Sequence, residues 1–210
     1  MRKLFNPIAG VLLLGLFLGG CGNDDGTEGL AGDENLNKKN HFKVGNTEYE
    51  LADGSLENYG EDVYGEWHEG YNLDLLLVSK NLKITQNEDG GMDVTGSGNA
   101  IYFELFTSEG SSLDNGDYEH GAADFFPVGT YDYASYYVDV NTEEEEDSDV
   151  RISSGKVTVK RDGQEYELTI DCKDEDGKTV TGYYKGTLQY FDYTSGSASS
   201  RILFHPKKRR

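Results

Sequence analysis

From Gly155 to Asp192 apolar and polar residues alternate with a period of two, a pattern that only a β-strand gathers onto one face. Val157 and Val159 are interleaved with Thr158 and Lys160 and run into Asp162-Gly163, a dipeptide that supplies the positive φ of a hairpin turn. Tyr166, Leu168, Ile170 and Cys172 then alternate with Glu165, Glu167, Thr169 and Asp171. A two-residue loop at Asp162-Gly163 sets Val159 opposite Tyr166 and Val157 opposite Leu168, all on one face. At the next turn a two-residue loop would pair Cys172 with Thr181 and send the following apolar set to the wrong side. A three-residue loop, Glu175-Asp176-Gly177 with Gly177 left-handed, pairs Cys172 with Val180 and Leu168 with Tyr184 instead. That register also places Tyr166 opposite Gly186, where a ring can cover bare backbone. The segment therefore predicts a three-stranded antiparallel meander.

Upstream the same logic yields more strands. Phe42 to Tyr49 forms a hairpin in which Phe42 faces Tyr49 across a Gly45-Asn46 turn. Leu73, Leu75 and Leu77 alternate with Asn72, Asp74 and Leu76. Ile101, Phe103 and Leu105 alternate with Tyr102, Glu104 and Phe106, so this strand has large apolar groups on both faces and is expected to be central and covered on each side. Leu113 to Tyr118 and Phe126 to Tyr131 share an apolar residue, a glycine three positions on and a tyrosine two later, the mark of a turn that leads into a strand. The block of acids from Glu143 to Asp149 reads as an exposed loop. No stretch after residue 40 sustains an apolar period of 3.6, and 27 glycines against three prolines suit many tight turns. The expected fold is all-β: an antiparallel β-sandwich or a closed β-barrel ending in the meander, as one domain over residues 41–205.

The N-terminus carries a different message. Arg2 and Lys3 precede an apolar run from Ile8 to Leu18 that is shorter than the ~20 residues of a membrane span, so residues 1–20 read as a secretory signal peptide. Leu18-Gly19-Gly20-Cys21 has the form of a lipobox, in which small residues before an obligatory cysteine admit the signal peptidase and the thiol takes a diacylglycerol. Residues 21–40 are polar and acidic, a flexible tether that cannot repay its own ordering. The anchor places the chain at the outer membrane, and acids directly behind Cys21 favour the cell surface over the periplasmic face.

Removing residues 1–20 takes away two cations and no acid, which moves the formal net charge from −20 to −22. Such a surface repels phosphate backbones, so nucleic acid is excluded as a partner, and the basic tail 206–210 reads as a solvated end. With Cys21 acylated, Cys172 is the one remaining thiol; a disulfide within the domain is impossible and a small buried apolar role is expected for it.

The lipobox with its acidic follow-on, the Phe126-Pro127-Val128-Gly129-Thr130-Tyr131 turn and the run from Gly155 through Tyr190 together resemble small surface lipoproteins of gut and oral Bacteroidetes. The resemblance implies a β-sandwich or closed β-barrel at the cell envelope and carries over no functional residue.

Chemical motifs are sparse. There is no Gly-x-Ser-x-Gly, His-Glu-x-x-His or Cys-x-x-Cys, and His41, His68, His120 and His205 are scattered, so no catalytic residue, cofactor or metal is assigned. Asp114-Asn115-x-Asp117 and Asp171-x-x-Asp174-Glu175-Asp176 gather hard oxygen ligands of the kind calcium takes but without the EF-hand spacing; the first also suits a plain turn, and neither is assigned as a metal site. The remaining clue is Tyr59 to Tyr71, a glycine-rich stretch that holds the sole tryptophan with tyrosines and acids. Rings beside carboxylates are what sugar binding uses, and Trp67, Tyr64 and Tyr71 are the candidate ligand residues. The function expected is a lipid-anchored, non-enzymatic binding or adhesion module for glycan or protein. The alternatives are an envelope glycoside hydrolase using a carboxylate pair and a lipocalin-like carrier of a small apolar ligand. Cys21→Ser is expected to abolish palmitate labelling and release the protein from the membrane fraction; a variant that still labels and stays bound refutes the lipoprotein assignment.

Overall fold

The computed structural model describes residues 38–62, 65–121, 124–144 and 149–194. The signal peptide, Cys21, the tether as far as residue 37, Tyr64, residues 145–148 of the acidic loop and residues 195–210 with the basic tail lie outside the described residues. Every regular element among those described is a strand: β1 His41–Val44, β2 Thr47–Glu50, β3 Asp53–Glu61, β4 Tyr71–Val78, β5 Leu82–Gln86, β6 Met92–Thr107, β7 Gly116–His120, β8 Thr130–Asn141, β9 Asp149–Asp162, β10 Glu165–Asp174, β11 Thr179–Thr187 and β12 Gln189–Asp192. The all-β expectation holds.

Eleven of the strands form one sheet in the order β12-β3-β4-β6-β8-β7-β9-β10-β11-β1-β2, and β5 pairs with β6 alone. The pairs are antiparallel except β12 with β3 and β7 with β8. The order has two ends, so the sheet is open. It is also strongly curled, and connectivity shows why. β2 joins β3 through Leu51 and Ala52, and β11 joins β12 through Leu188, although each pair of strands lies toward opposite ends of the order. In a flat sheet those strands would stand roughly 38–43 Å apart at ~4.8 Å per strand. Links of one or two residues reach about 7–11 Å. The sheet must therefore bend round until its two sides approach each other, and β11 indeed contacts β3.

Curling gives the sheet a concave face that becomes the core. Phe42, Leu56, Leu75, Phe103, Tyr131, Ile152, Leu168 and Tyr184 all point there and are buried. The convex face is covered in part by β5 and the first half of β6, which fold back over it. Leu82, Ile84, Met92 and Val94 pack there on Leu76, Tyr102, Tyr137 and Phe191. β6 thus carries apolar groups on both faces and lies between β4 and β8, as its sequence predicts.

The meander forms over β9, β10 and β11, with one correction. Cys172 pairs with Val180, Leu168 with Tyr184 and Tyr166 with Gly186, as the three-residue loop requires, and Gly177 has φ 78°. At the first turn, however, Asp162 pairs with Glu165, so the loop is Gly163-Gln164; Val159 faces Leu168, and Val157 faces Ile170. Gly163 at φ 60° takes the first central position, which a type II′ turn reserves for glycine. The slip spans two residues, an even number, so every apolar side chain keeps its face. The ring atoms nearest Gly186 belong to Tyr184 and not Tyr166. Both turn-and-tyrosine motifs lead into strands, and their tyrosines, Tyr118 and Tyr131, are fully buried. The chain docks one residue before β1: Asn40 exchanges side-chain hydrogen bonds with the Lys185 backbone.

Gly155 is the position where the meander tolerates no side chain. It has φ 111°, and a Cβ there would lie 2.3 Å from the Asp171 carbonyl oxygen and 2.4 Å from the Cys172 Cα. Gly155→Ala is therefore expected to destabilise the domain by about 2–5 kcal/mol in urea unfolding, from backbone strain plus overpacking. Gly163→Asn, at an open turn with nothing within 4 Å, should cost less than about 1 kcal/mol. Equal losses would count against the close approach of β9 and β10.

Candidate functional site

The Trp67 segment lies on the convex face at the end of β6. Asp62 shapes it: its carboxylate accepts the Trp67 backbone N–H at 2.6 Å and its carbonyl accepts that of Gly65 at 2.9 Å. The loop then forms a short parallel ladder with residues near Phe126, in which Phe126 donates to the Trp67 carbonyl and Glu69 to the Phe126 carbonyl. Gly70, at φ 69°, presses onto the Thr107 carbonyl, a contact that any Cβ would close to 2.2 Å. The Trp67 ring stands edge-on to Phe106 at 5.5 Å, to Phe126 at 6.1 Å and to His68 at 5.0 Å. His68 is buried and stacks on Phe106. Trp67 is thus half-buried within an aromatic cluster and not a free ring on a loop. Tyr71 is half-buried elsewhere, its ring against Gly110 and its hydroxyl bonded to Glu61. The structure does not bring Tyr71 together with Trp67, and Tyr64 lies outside the described residues.

Beside the aromatic cluster stands a feature the motif search missed. Glu57 pairs with Asp74 across β3 and β4, and Asp74 with Glu104 across β4 and β6. Register puts three carboxyl groups in a row on the convex face, neighbours standing about 5 Å apart at Cβ. Glu57 is fully buried and Asp74 almost so, while Glu104 is half-buried. Glu104 lies two residues before Phe106 on the same face of β6, so the row adjoins the Trp67 cluster.

Tyrosines enclose the acids. The Tyr102 hydroxyl donates to Asp74 Oδ2 at 2.5 Å and lies 3.4 Å from Glu104 Oε1. Asn72 donates to Asp74 Oδ1 at 3.3 Å, and Tyr59 donates to Glu57 Oε2 at 3.1 Å. Tyr193 stacks on Tyr59 with ring centroids 5.0 Å apart. The Tyr193 hydroxyl also acts on the Glu57 carboxyl, whose Oε1 is buried without a donor in full hydrogen-bond geometry. Loss of water pushes the Glu57 carboxyl up to about 8. Burial raises Asp74 as well, reinforced by the neighbouring charges of Glu104 and Glu57. Burial and the adjacent acids raise the Tyr102 phenol too. Glu57 therefore keeps its proton at neutral pH, and Asp74 is shifted in the same direction.

The other candidates resolve into structure. Asp114 accepts from Thr107 and Ser108, Asn115 from the Arg161 N–H, and Asp117 from Lys156 and Thr158, so the three side chains of one turn face different partners. Asp174 caps its own turn by accepting from the Asp176 and Lys178 N–H groups, and it also receives the Tyr136 hydroxyl. Cys172 is buried beside the Tyr131 hydroxyl, and desolvation pushes its thiol up to about 11. Among the described residues no group of three or more His, Cys, Asp or Glu side chains is placed to hold a metal ion. Comparison with protein-family models, curated proteins and solved structures finds no match for the chain.

A carboxyl whose folded pKa lies above its unfolded value binds its proton more tightly in the folded state. Its stabilisation is complete below the ordinary carboxylate range and is lost as pH rises through the folded value, near 8 for Glu57. Chemical denaturation is therefore expected to show the domain more stable at about pH 5 than at about pH 8.5. Glu57→Gln, which mimics the protonated acid, should flatten that slope. A slope unchanged in the variant would show that Glu57 ionises freely.

Proposed function

We propose that the chain is a lipid-anchored binding module of the bacterial cell envelope that holds a glycan on the convex face of its sheet and performs no catalysis. The observation that carries this reading is the juxtaposition, on one face of β3, β4 and β6, of the Trp67, Phe106 and Phe126 rings with the carboxyl row of Glu57, Asp74 and Glu104. Rings take the apolar faces of sugars, and carboxyls accept or donate hydrogen bonds to hydroxyl groups. The anchor rests on Leu18-Gly19-Gly20-Cys21, and the acids behind Cys21 favour the outer surface of the outer membrane.

In this reading the domain is a barrel and not a sandwich, with the Leu51-Ala52 and Leu188 links serving where hydrogen-bonded closure is missing. The many side chains that fill the concave side support recognition on the outside and weigh against a lipocalin-like carrier. One observation favours glycoside hydrolysis as a second reading: a carboxyl held protonated, Glu57, lies beside a second carboxyl, Asp74. The burial of both weighs against it. Release of reducing ends from a polysaccharide, abolished by Glu57→Gln, would establish it over the binding reading.

Retention on immobilised polysaccharides tests the proposal. The wild-type domain is expected to be retained on at least one glycan of a broad panel. Trp67→Ala should lose that retention while its free energy of unfolding falls by only about 1–2 kcal/mol, since a half-buried ring contributes less to packing than a core one. Failure of the wild type to bind any glycan of the panel, or undiminished retention of Trp67→Ala, defeats it.

A further inference from the structure

We propose that β12 together with Tyr193 is a latch over the Glu57 carboxyl, one that loosens when this carboxyl ionises and so ties the closure of the convex face to pH. The inference is independent of what that face binds. It begins with what covers Glu57, a side chain sealed from solvent although its strand lies only one place from the end of the sheet. Phe191 of β12 is its partner in the parallel ladder with β3 and is itself buried. Two residues further on, the Tyr193 ring stacks on Tyr59; its hydroxyl accepts the Met92 backbone N–H at 2.7 Å and acts on the Glu57 carboxyl. Of these covers β12 is the least tied down. It is four residues long and, among the described residues, pairs with β3 alone, whereas β3 itself is laddered on both sides. Three further bonds hold the segment: the Tyr190 hydroxyl donates to the Gly110 carbonyl at 2.8 Å, the Gln189 amide to Asp53 at 2.9 Å and the Tyr193 N–H to the Asn58 carbonyl at 2.9 Å. A short edge segment of this kind opens locally at a lower cost than unfolding the whole domain.

Charge sets the direction of the response. The titratable groups that act on Glu57, or on which it acts, are Tyr59 from its own strand, Asp74 from β4, Tyr102 from β6 and Tyr193; Asp93 of β6 acts in turn on Tyr193. All are acids or phenols, neutral or negative, so none of these groups favours a charge on Glu57. In the closed domain loss of water raises the Glu57 carboxyl to about 8. When β12 and Tyr193 lift, water reaches the carboxyl and it returns to the ordinary value of about 4.3. The closed state therefore binds the proton more tightly than the open one. Its advantage is complete below the ordinary carboxylate range, is lost as pH rises, and is gone once pH passes the closed-state value. Lifting also uncovers the apolar seat of Phe191 among Leu76, Met92 and Tyr102, which keeps the latch shut at acid pH.

Hydrogen exchange of the full chain, read peptide by peptide in a mass spectrometer and corrected for the base-catalysed rise in intrinsic exchange, tests the latch. Protection of the peptides that span β12 and Tyr193 is expected to fall about tenfold or more between about pH 5 and about pH 8 and then to level off. Over the same range the peptides of β9, β10 and β11 should keep theirs. Glu57→Gln, which cannot ionise, should hold β12 protection constant with pH, while Glu88→Gln, which removes an exposed acid of the β5–β6 turn, should behave as the wild type does. If Glu57→Gln fails to fold, the wild-type profile decides: a loss confined to β12 and Tyr193 that levels off above about pH 8 upholds the latch, and any other profile overturns it. A loss shared equally by β9 to β11 means that the proton on Glu57 acts only through global unfolding, and the latch falls. It falls too if β12 protection is independent of pH, or if Glu57→Gln keeps the wild-type response. None of these outcomes bears on the glycan reading, which stands or falls on retention through Trp67.

Discussion

Two short links govern this fold. Leu51-Ala52 and Leu188 tie together strands from opposite ends of the hydrogen-bonded order, and the sheet curls because a chain of one or two residues cannot cross the width of a flat one. The rest of the architecture depends on that curvature. The concave side closes into a core of aliphatic and tyrosine side chains, and the convex side has too little chain left to cover it completely. β5 and the first half of β6 shield one part of the convex face, the Trp67 and Phe126 loops shield another, and the acid row lies between them.

The acid row is costly to build. A carboxylate taken out of water loses several kcal/mol of solvation, and three in a line also repel one another. The domain limits that cost by keeping a proton on Glu57 and by surrounding the row with phenol and amide donors. Among the described residues it does not do so with a lysine or arginine beside Glu57, the usual and stronger remedy. Nor does it replace the acids with the leucines and tyrosines that fill neighbouring convex positions such as Leu76 and Tyr102, although apolar residues there would pack without penalty. A polar feature kept where an apolar one would be more stable makes the row a candidate site, and it adjoins Trp67.

Trp67 shows how composition and packing answer different questions. Its loop is glycine-rich and was expected to leave the ring free. In the structure Gly65 and Gly70 serve to fold the loop down onto Thr107 and Phe106, so the same glycines that suggested exposure produce half-burial. Tyr71, only four residues further on, begins β4 and packs toward Gly110, which separates it from the tryptophan.

What the sequence determined by itself was local: the strands of the meander, the three-residue loop at Gly177, the facing of Phe42 and Tyr49, and the double-sided β6. Alternation and turn chemistry act over a handful of residues, so they are legible without neighbours. Even there a loop moved by one residue at Gly163 shifted a register while leaving the faces intact, because the side-chain period is two. The acids of the candidate site were visible only as a hint: Asp74 and Glu104 share strand faces with Leu76, Tyr102 and Phe106, an odd place for a charge. That Glu57, Asp74 and Glu104 form one row, and that the sheet curls instead of splitting or lying flat, was decided by pairings between distant segments. Those pairings follow from burying the whole chain at once, and no short stretch of it carries that information.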